Sequence, residues 1–451
     1  MLFGATGRLS LLRRNRGFAL LFWATAGSAI GSYLAALALS VHIYDETGSG
    51  RWLATLLIAD FLPIVVIGLV LGPLVDRLSR RRLMIASDLV RAATFAILPF
   101  VDEPTAIVAV AAVNGIATGF FRPAVWAGLP NLVTEEDREQ ATSLLTTVEN
   151  VAWTIGPAIA GLLLASNGVD LAYWTNAATF LLSAVLVARI AGSALRSDAP
   201  LTKGHWSELR EGLGLVVSSR HLVTVLVVWS TAAVATACIN VAEVIFAKHD
   251  LDAGNIGLGF LVSATGVGLV IGSFFAASAL GAFGMRRVYP AALALMAAGF
   301  GLASASPTIV LAAILAAVAT IGNGAAIVCN QVLVQRGAPD SMRGRALAVL
   351  MSTYYAILGL SMAAGGLLVD AVGARASWTI ASCIFLVAAA LAVVLTARLR
   401  EENAPALAPS GLERIRTLMD EIDDTRQREL ERGSPEVAVL APRDAESRST
   451  P

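Results

Sequence analysis

Read by hydrophobicity, the chain is a succession of long apolar runs parted by short polar ones. The runs cover residues 18–44, 52–75, 83–101, 105–129, 141–166 and 169–191, and then 221–247, 255–281, 287–304, 307–334, 345–369 and 376–398. Charge seldom interrupts them: residues 52–75 hold only Asp60 ahead of the polar link, and 83–101 only Asp88 and Arg91. A helix rises about 1.5 Å per residue and a bilayer's hydrocarbon core is about 30 Å thick, so about 20 residues cross it. The pattern predicts an all-α membrane protein with twelve transmembrane helices. The first run is too long for a signal-peptide core and no small-residue cleavage pattern follows it, so it reads as the first span.

Composition agrees. Of 451 residues, 56% are hydrophobic and only 15% charged, and the mean hydropathy is +0.71, values foreign to a water-soluble domain. The formal net charge of zero carries little meaning, because the charges are sorted along the chain. Arg8, Arg13, Arg14 and Arg16 precede the first span, Arg77, Arg80, Arg81 and Arg82 link the second to the third, and arginines recur at 138, 189–220, 286–287, 336–345 and through the tail. The alternate links carry Asp45, Glu46, Asp102, Glu103, Asp170, Asp250, Asp252 and Asp370 against Arg51, Lys248 and Arg375. Short links rich in arginine stay on the cytoplasmic side, so both termini are expected in the cytoplasm of a multi-pass protein of the cell membrane.

The two halves repeat at a spacing of 204 or 205: Arg16 with Arg220, Arg138 with Arg343, Gly161 with Gly366, Trp174 with Trp378. The expected organisation is a six-helix bundle over 1–192, a cytoplasmic linker over 193–219 with a short amphipathic helix, a second bundle over 220–398, and a charged tail over 399–451, part short helix and part disordered. Two matched bundles suit rocking about a shared central site.

Little supports an enzyme. Lys203 and Lys248 are the two lysines and neither follows a glycine, so there is no Walker A loop. The four histidines lack metal-ligand spacing, and no HExxH or GxSxG string occurs. Cys238, Cys329 and Cys383 fall within spans and read as buried thiols. No cofactor, metal site or nucleic-acid partner is expected.

The link after the second span resembles a known signature. Gly72, Asp76, Arg77, Arg80 and Arg81 match G-x-x-x-D-R-x-G-R-R, the loop between helices 2 and 3 of the major facilitator superfamily, with Ser79 where that pattern prefers glycine. The resemblance implies a gating latch in which Asp76 meets the start of span 11, where Arg343 and Arg345 stand. Its counterpart in the second half keeps Gly272, Arg286 and Arg287 but no aspartate. On span 5, Gly156, Pro157 and Gly161 in WTIGPAIAGLLL resemble the Gly-Pro motif of exporters in that superfamily, although ordinary helix packing explains them as well. Asn114, Arg122 and the following FRPAVWAGLPNLV resemble the branch holding the enterobactin exporter and macrolide efflux proteins. In that architecture spans 1, 4, 7 and 10 line the pathway.

Ionisable groups at membrane depth are costly and call for a reason. Glu149 shares a face of span 5 with Trp153 and Gly156 and is the first candidate for proton coupling, Asp60 the second. Glu243 either serves there too or reaches interfacial water. Arg122 either pairs with a carboxylate or an anionic substrate, or snorkels as an anchor. Asp88 and Arg91, three apart, form a local pair. Trp23, Asn114, Arg122, Trp153, Asn240, Asn330, Gln331 and Tyr354 are the candidates for the cavity lining. Close packing accounts for Gly27/Gly31, Gly68/Gly72, Gly115/Gly119 and Gly268/Gly272.

The expected function is export of amphipathic small molecules by a monomeric secondary transporter, driven by protons through alternating access. A uniporter or importer of the same fold, and a membrane sensor acting through its tail, stay open at this point.

Overall fold

The computed structural model describes residues 10–70, 78–195, 205–339 and 342–399. They lie in one compact unit, Met1–Arg400, while Glu401–Pro451 divides off as a second unit, and the tail expectation lies outside the described residues. Among the described residues, twelve helices are long and apolar enough to cross a membrane. We label them α1 (Arg16–Thr47), α2 (Gly50–Val70), α3 (Arg80–Ile97), α4 (Pro104–Leu132), α5 (Arg138–Leu164), α6 (Gly168–Ala188), α7 (Arg220–Ile245), α8 (Gly254–Phe283), α9 (Met285–Ser304), α10 (Ile309–Gly337), α11 (Arg343–Val372) and α12 (Ala374–Ala397). The helical run Arg138–Ala188 is continuous; within it Gly168, at φ +71°, marks the change from α5 to α6. A linker helix, His205–Ser218, joins the halves.

Polar contacts show which helix ends lie together. At one end Arg14 donates to Asp137, Arg81 to the carbonyl of Ala188, and Arg286 to the carbonyl of Leu399 at 2.8 Å. At the other, His42 pairs with Tyr173 at 2.9 Å, and Arg375 donates to the carbonyls of Ser304 and Ser306 at 2.8 and 2.9 Å. Successive helices alternate between these ends, so the start of α1 and the end of α12 share the arginine-bearing end. The linker helix lies there against α11, where Arg345 pairs with Glu211 at 2.5 Å.

Two seams join the bundles, α2 against α11 and α5 against α8. They are copies of one another: Gly161 and Gly366 stand 205 apart (366 − 161), as do Ala54 and Gly259 (259 − 54). A Cβ on Gly366 would stand 2.7 Å from that of Ala54 and 2.8 Å from the carbonyl oxygen of Gly50, and a Cβ on Gly161 would meet Gly259 Cα at 2.9 Å. Absent side chains let the backbones touch, which in lipid substitutes for the missing hydrophobic drive between helices. The outer surface is correspondingly apolar, with Leu181, Leu182 and Val185 on α6, Phe274 and Phe275 on α8, and Leu386, Val387 and Val393 on α12 all exposed.

Local expectations divide. Asp88 and Arg91 do form a pair, fully buried, with the guanidinium 4.2 Å from the ring centroids of both Phe121 and Phe180. Cys238 and Cys329 are buried, but Cys383 is exposed, because it lies on the outward face of α12 rather than the face against α7 and α9. Gly31, Gly115, Gly119, Gly268 and Gly272 sit in tight contacts, whereas a Cβ at Gly27 would meet nothing within 4 Å. That position faces open space and is no packing point.

Candidate functional site

Near the middle of the first bundle, α4 and α5 bring their charges together. Pro123 has no N–H to give the carbonyl of Gly119, which relaxes α4 at the turn that carries Arg122. Arg122 donates to Glu149 at 3.1 Å, with the arginine side chain 50% exposed and that of the glutamate 23%. Tyr33 of α1 packs against Gly156 of α5, two turns along the helix from Glu149. Of the alternatives open to Arg122, pairing with a carboxylate is the one found, because Arg122 lies on the facing turn of the helix next to Glu149.

Asp60 and Asn114 make a second polar pair, the Asn114 amide donating to the carboxylate at 2.8 Å. Asp60 has no cationic partner among the described residues, and the Asn114 side-chain oxygen is buried without a hydrogen-bond partner among them. The adjacent Phe61 packs on Tyr355 with ring centroids 5.6 Å apart, so this α2 position also borders the seam. Glu243, near the far end of α7, is half-buried and has no hydrogen-bond or ionic partner among the described residues.

At the end opposite the arginines, the bundles are fastened. Gly48, at φ +60°, closes α1 and lets α2 begin two residues later, so the first N–H groups of α2 point at α11. Asp370 at the end of α11 accepts from Gly50 N at 2.6 Å, Ser49 Oγ at 3.0 Å, Arg51 N at 3.3 Å and Arg51 Nε at 2.8 Å. A carboxylate of one bundle thus caps a helix of the other, where orphan N–H groups and the helix dipole favour an anion. Lys248 pairs with Asp45, and Asn255 donates to the carbonyl of Leu164 at 3.4 Å, at the same end. The sequence lists Asp370 among the acidic links, but nothing local pairs it with residues 320 positions away.

The remaining expected site residues scatter. Gly72, Asp76 and Arg77 lie outside the described residues; Arg80 is buried, and Arg81 is held by Ala188. Arg343 donates to the carbonyl of Gln335 at 3.4 Å, and Arg345 is engaged by Glu211. Gly156 packs on Tyr33 and Gly161 on α8, so the exporter-like motif has a packing task at each. Trp23 is 59% exposed, while the Trp153 side chain is outside the described set. Asn240 and Gln331 are exposed and stand apart from the cavity that Asn330 and Tyr354 line. The cavity's other polar walls include Trp229, Thr236 and Tyr289, which sequence reasoning missed; Trp229 and Thr236 lie seven apart on one face of α7, and that spacing is the signal that could point to them.

The family model described as transmembrane secretion effector matches residues 6–427. The chain belongs to that family. Multidrug efflux pump Tap of Mycolicibacterium fortuitum is 28% identical over 396 residues, 85% of this chain and 96% of that protein. Macrolide efflux protein A of Streptococcus pyogenes is 33% identical over 147 residues, 31% of this chain and 36% of that protein. A solved structure of a bacterial homologue of the iron transporter ferroportin, inward-facing, matches in fold with a TM-score of 0.69 at 12% identity, covering 85% of this chain and 99% of the other. The chain is a membrane transporter of the major facilitator type, as its family and relatives are transporters and not enzymes.

Proposed function

We propose that this secretion effector is a proton-coupled exporter of amphipathic small molecules, working by alternating access, with its arginine-bearing end and both termini in the cytoplasm of the cell membrane. The observation that carries the reading is the Arg122–Glu149 pair, an ionic contact between two apolar spans whose arginine side chain is half exposed. Protonating Glu149 neutralises it and releases Arg122, so the loss or gain of one proton rewrites the charge that a substrate meets. Transport then requires that proton and substrate bind the two conformations unequally, since equal binding shifts no population. One charge crossing 100 mV supplies about 2.3 kcal/mol, enough for roughly a 50-fold gradient of a neutral substrate.

Asp60 supports the reading as a second proton site, because its protonation breaks no ion pair among the described residues. The arginine asymmetry supports the orientation, and the efflux names of the two relatives support the direction and the amphipathic substrate class. The partners are protons, the small-molecule substrate and the bilayer, with the chain acting as a monomer and without nucleic acid. The test is Glu149→Gln in proteoliposomes carrying an imposed pH gradient. The variant should equilibrate substrate without concentrating it; continued uphill transport would move the coupling role away from Glu149.

A further inference from the structure

On the flank of each bundle, away from the seams, the chain builds one two-helix unit twice. In the first bundle α3 packs on α6 through Phe95 and Phe180, with ring centroids 5.8 Å apart. In the second, α9 packs on α12 through Phe300 and Phe385 at 5.9 Å, each ring 205 positions after its counterpart (300 − 95 and 385 − 180). At the arginine-bearing end each unit spends one arginine on tying its two helices together: Arg81 donates to the carbonyl of Ala188, and Arg286, again 205 later (286 − 81), to that of Leu399. Two arginines per unit are then left over, Arg82 or Arg287 next along the chain, and Arg189 or Arg398 just after the last turn of α6 or α12. All four are exposed, and none has a side-chain hydrogen bond or ion pair among the described residues.

Helical spacing decides what these arginines stand above. Arg82 heads the exposed stripe of α3 that continues through Leu89 and Ile97, and Arg189 ends the stripe of α6 that holds Leu182 and Val185. In the second bundle Arg287 heads Leu295 and Leu302 on α9, and Arg398 follows Val387 and Val394 on α12. Each flank is thus a wall of two apolar, lipid-facing stripes with two uncommitted guanidiniums at its polar edge. A signal that merely sets orientation needs cations on that side of the membrane; it does not need them paired on adjoining helices above lipid-facing stripes. A guanidinium binds phosphate oxygens in a two-pronged fork and is more weakly hydrated than an ammonium. We propose that each flank is a binding site for one anionic diacyl phospholipid of the leaflet at the arginine-bearing end. Its phosphate lies between Arg82 and Arg189, or between Arg287 and Arg398, and its acyl chains lie along the stripes. A zwitterionic lipid would bring its own cation to two arginines, and a free phosphate would leave the apolar wall unused. The inference stands apart from the exporter reading, which uses neither flank.

The test is native mass spectrometry of the full chain, delipidated in detergent and titrated with dioleoyl phosphatidylglycerol or dioleoyl phosphatidylcholine, which share their acyl chains and differ in charge. The wild-type chain should hold two molecules of phosphatidylglycerol tightly and phosphatidylcholine weakly. An arginine at an anionic lipid surface counts for roughly five-fold, so Arg82→Gln with Arg189→Gln should weaken one site about 30-fold, and Arg287→Gln with Arg398→Gln the other. Arg13→Gln with Arg16→Gln removes as much charge from the same end and should leave both sites filled. Equal retention of the two lipids by the wild-type chain would overturn the proposal. So would two tightly held phosphatidylglycerols in both flank variants, or an equal loss in the Arg13 and Arg16 variant, which would reduce the effect to overall charge. Where a glutamine pair fails to insert, the matching lysine pair keeps the charge and should still lose several-fold, because the fork is gone; no loss there would overturn that site.

Discussion

Replacing Asp370 with asparagine removes the charge that fastens the two bundles at the end opposite the arginines while keeping the shape of the side chain. Four donors converge on this carboxylate, the shortest being Gly50 N at 2.6 Å. Hydrogen bonds to a charged group are worth about 1.5–3 kcal/mol net, and an anion at a helix N-terminus adds about 0.3–1 kcal/mol. The Arg51 arm contributes little, because its side chain is 68% exposed and water screens the pair. Asparagine still offers one oxygen, so the loss should be about 2 kcal/mol of preference for the fastened state, roughly a 30-fold change in the equilibrium. The Lys248–Asp45 pair remains and keeps the shift partial. Spin labels at Glu46 and Asp252, exposed positions on opposite sides of the seam, in a chain with Cys238, Cys329 and Cys383 replaced, would report the distance across that end. Asp370→Asn should populate a longer distance, and Arg51→Ala should change the populations by only about two- to three-fold. Identical distributions for Asp370→Asn and its parent would refute the cap. Equal effects from Arg51→Ala would show that the ion pair, and not the end of α2, carries the contact.

The seams and the buried ion pair give further expectations. Gly366→Val should block closure of the α2–α11 seam, since its Cβ alone would stand 2.8 Å from the Gly50 carbonyl; transport should fall at least ten-fold with the inserted amount unchanged, and Gly161→Val should do the same at the matching seam. Full transport in both would mean that the seams have slack the geometry does not show. Asp88→Ala strands Arg91 between Phe121 and Phe180 and should cost about 3–5 kcal/mol, read as a lowered thermal unfolding midpoint in detergent. The double change Asp88→Leu with Arg91→Met should recover most of that loss, and a double variant no more stable than Asp88→Ala would contradict it.

Much of the fold was legible because its causes are local. A run such as residues 376–398 is apolar in itself, and no partner is needed to decide that it prefers lipid; α12 duly covers Ala374–Ala397. Charge sorting is equally local, and the Asp88–Arg91 pair lies within a single helical turn. The site was read less well. Glu149 stood out for its cost in lipid, but its partner Arg122 is 27 residues away on another helix. Asn114, which shares with Arg122 the resemblance to the efflux branch, donates to Asp60 on another helix. Gln331 is polar and on the right helix, yet it falls elsewhere because it sits beside Asn330 around the turn of α10 and faces outward, while Asn240 shares the face of Trp229 and Thr236 but lies a turn beyond the cavity.

Taken alone, the amino-acid order determined that this chain lives in lipid, crosses it twelve times, and repeats itself at a spacing of about 205, because transfer into a bilayer is a sum over each segment's own residues. It also marked Gly161 and Gly366 as equivalents before either had a neighbour. Only the tertiary structure decided what they touch, which carboxylate caps α2, and which arginines stay unpaired on the lipid-facing flanks among the described residues. Those outcomes depend on how helices rotate and approach one another, and a glycine's missing Cβ or an aspartate's four donors acquire meaning only when a distant backbone comes within 3 Å.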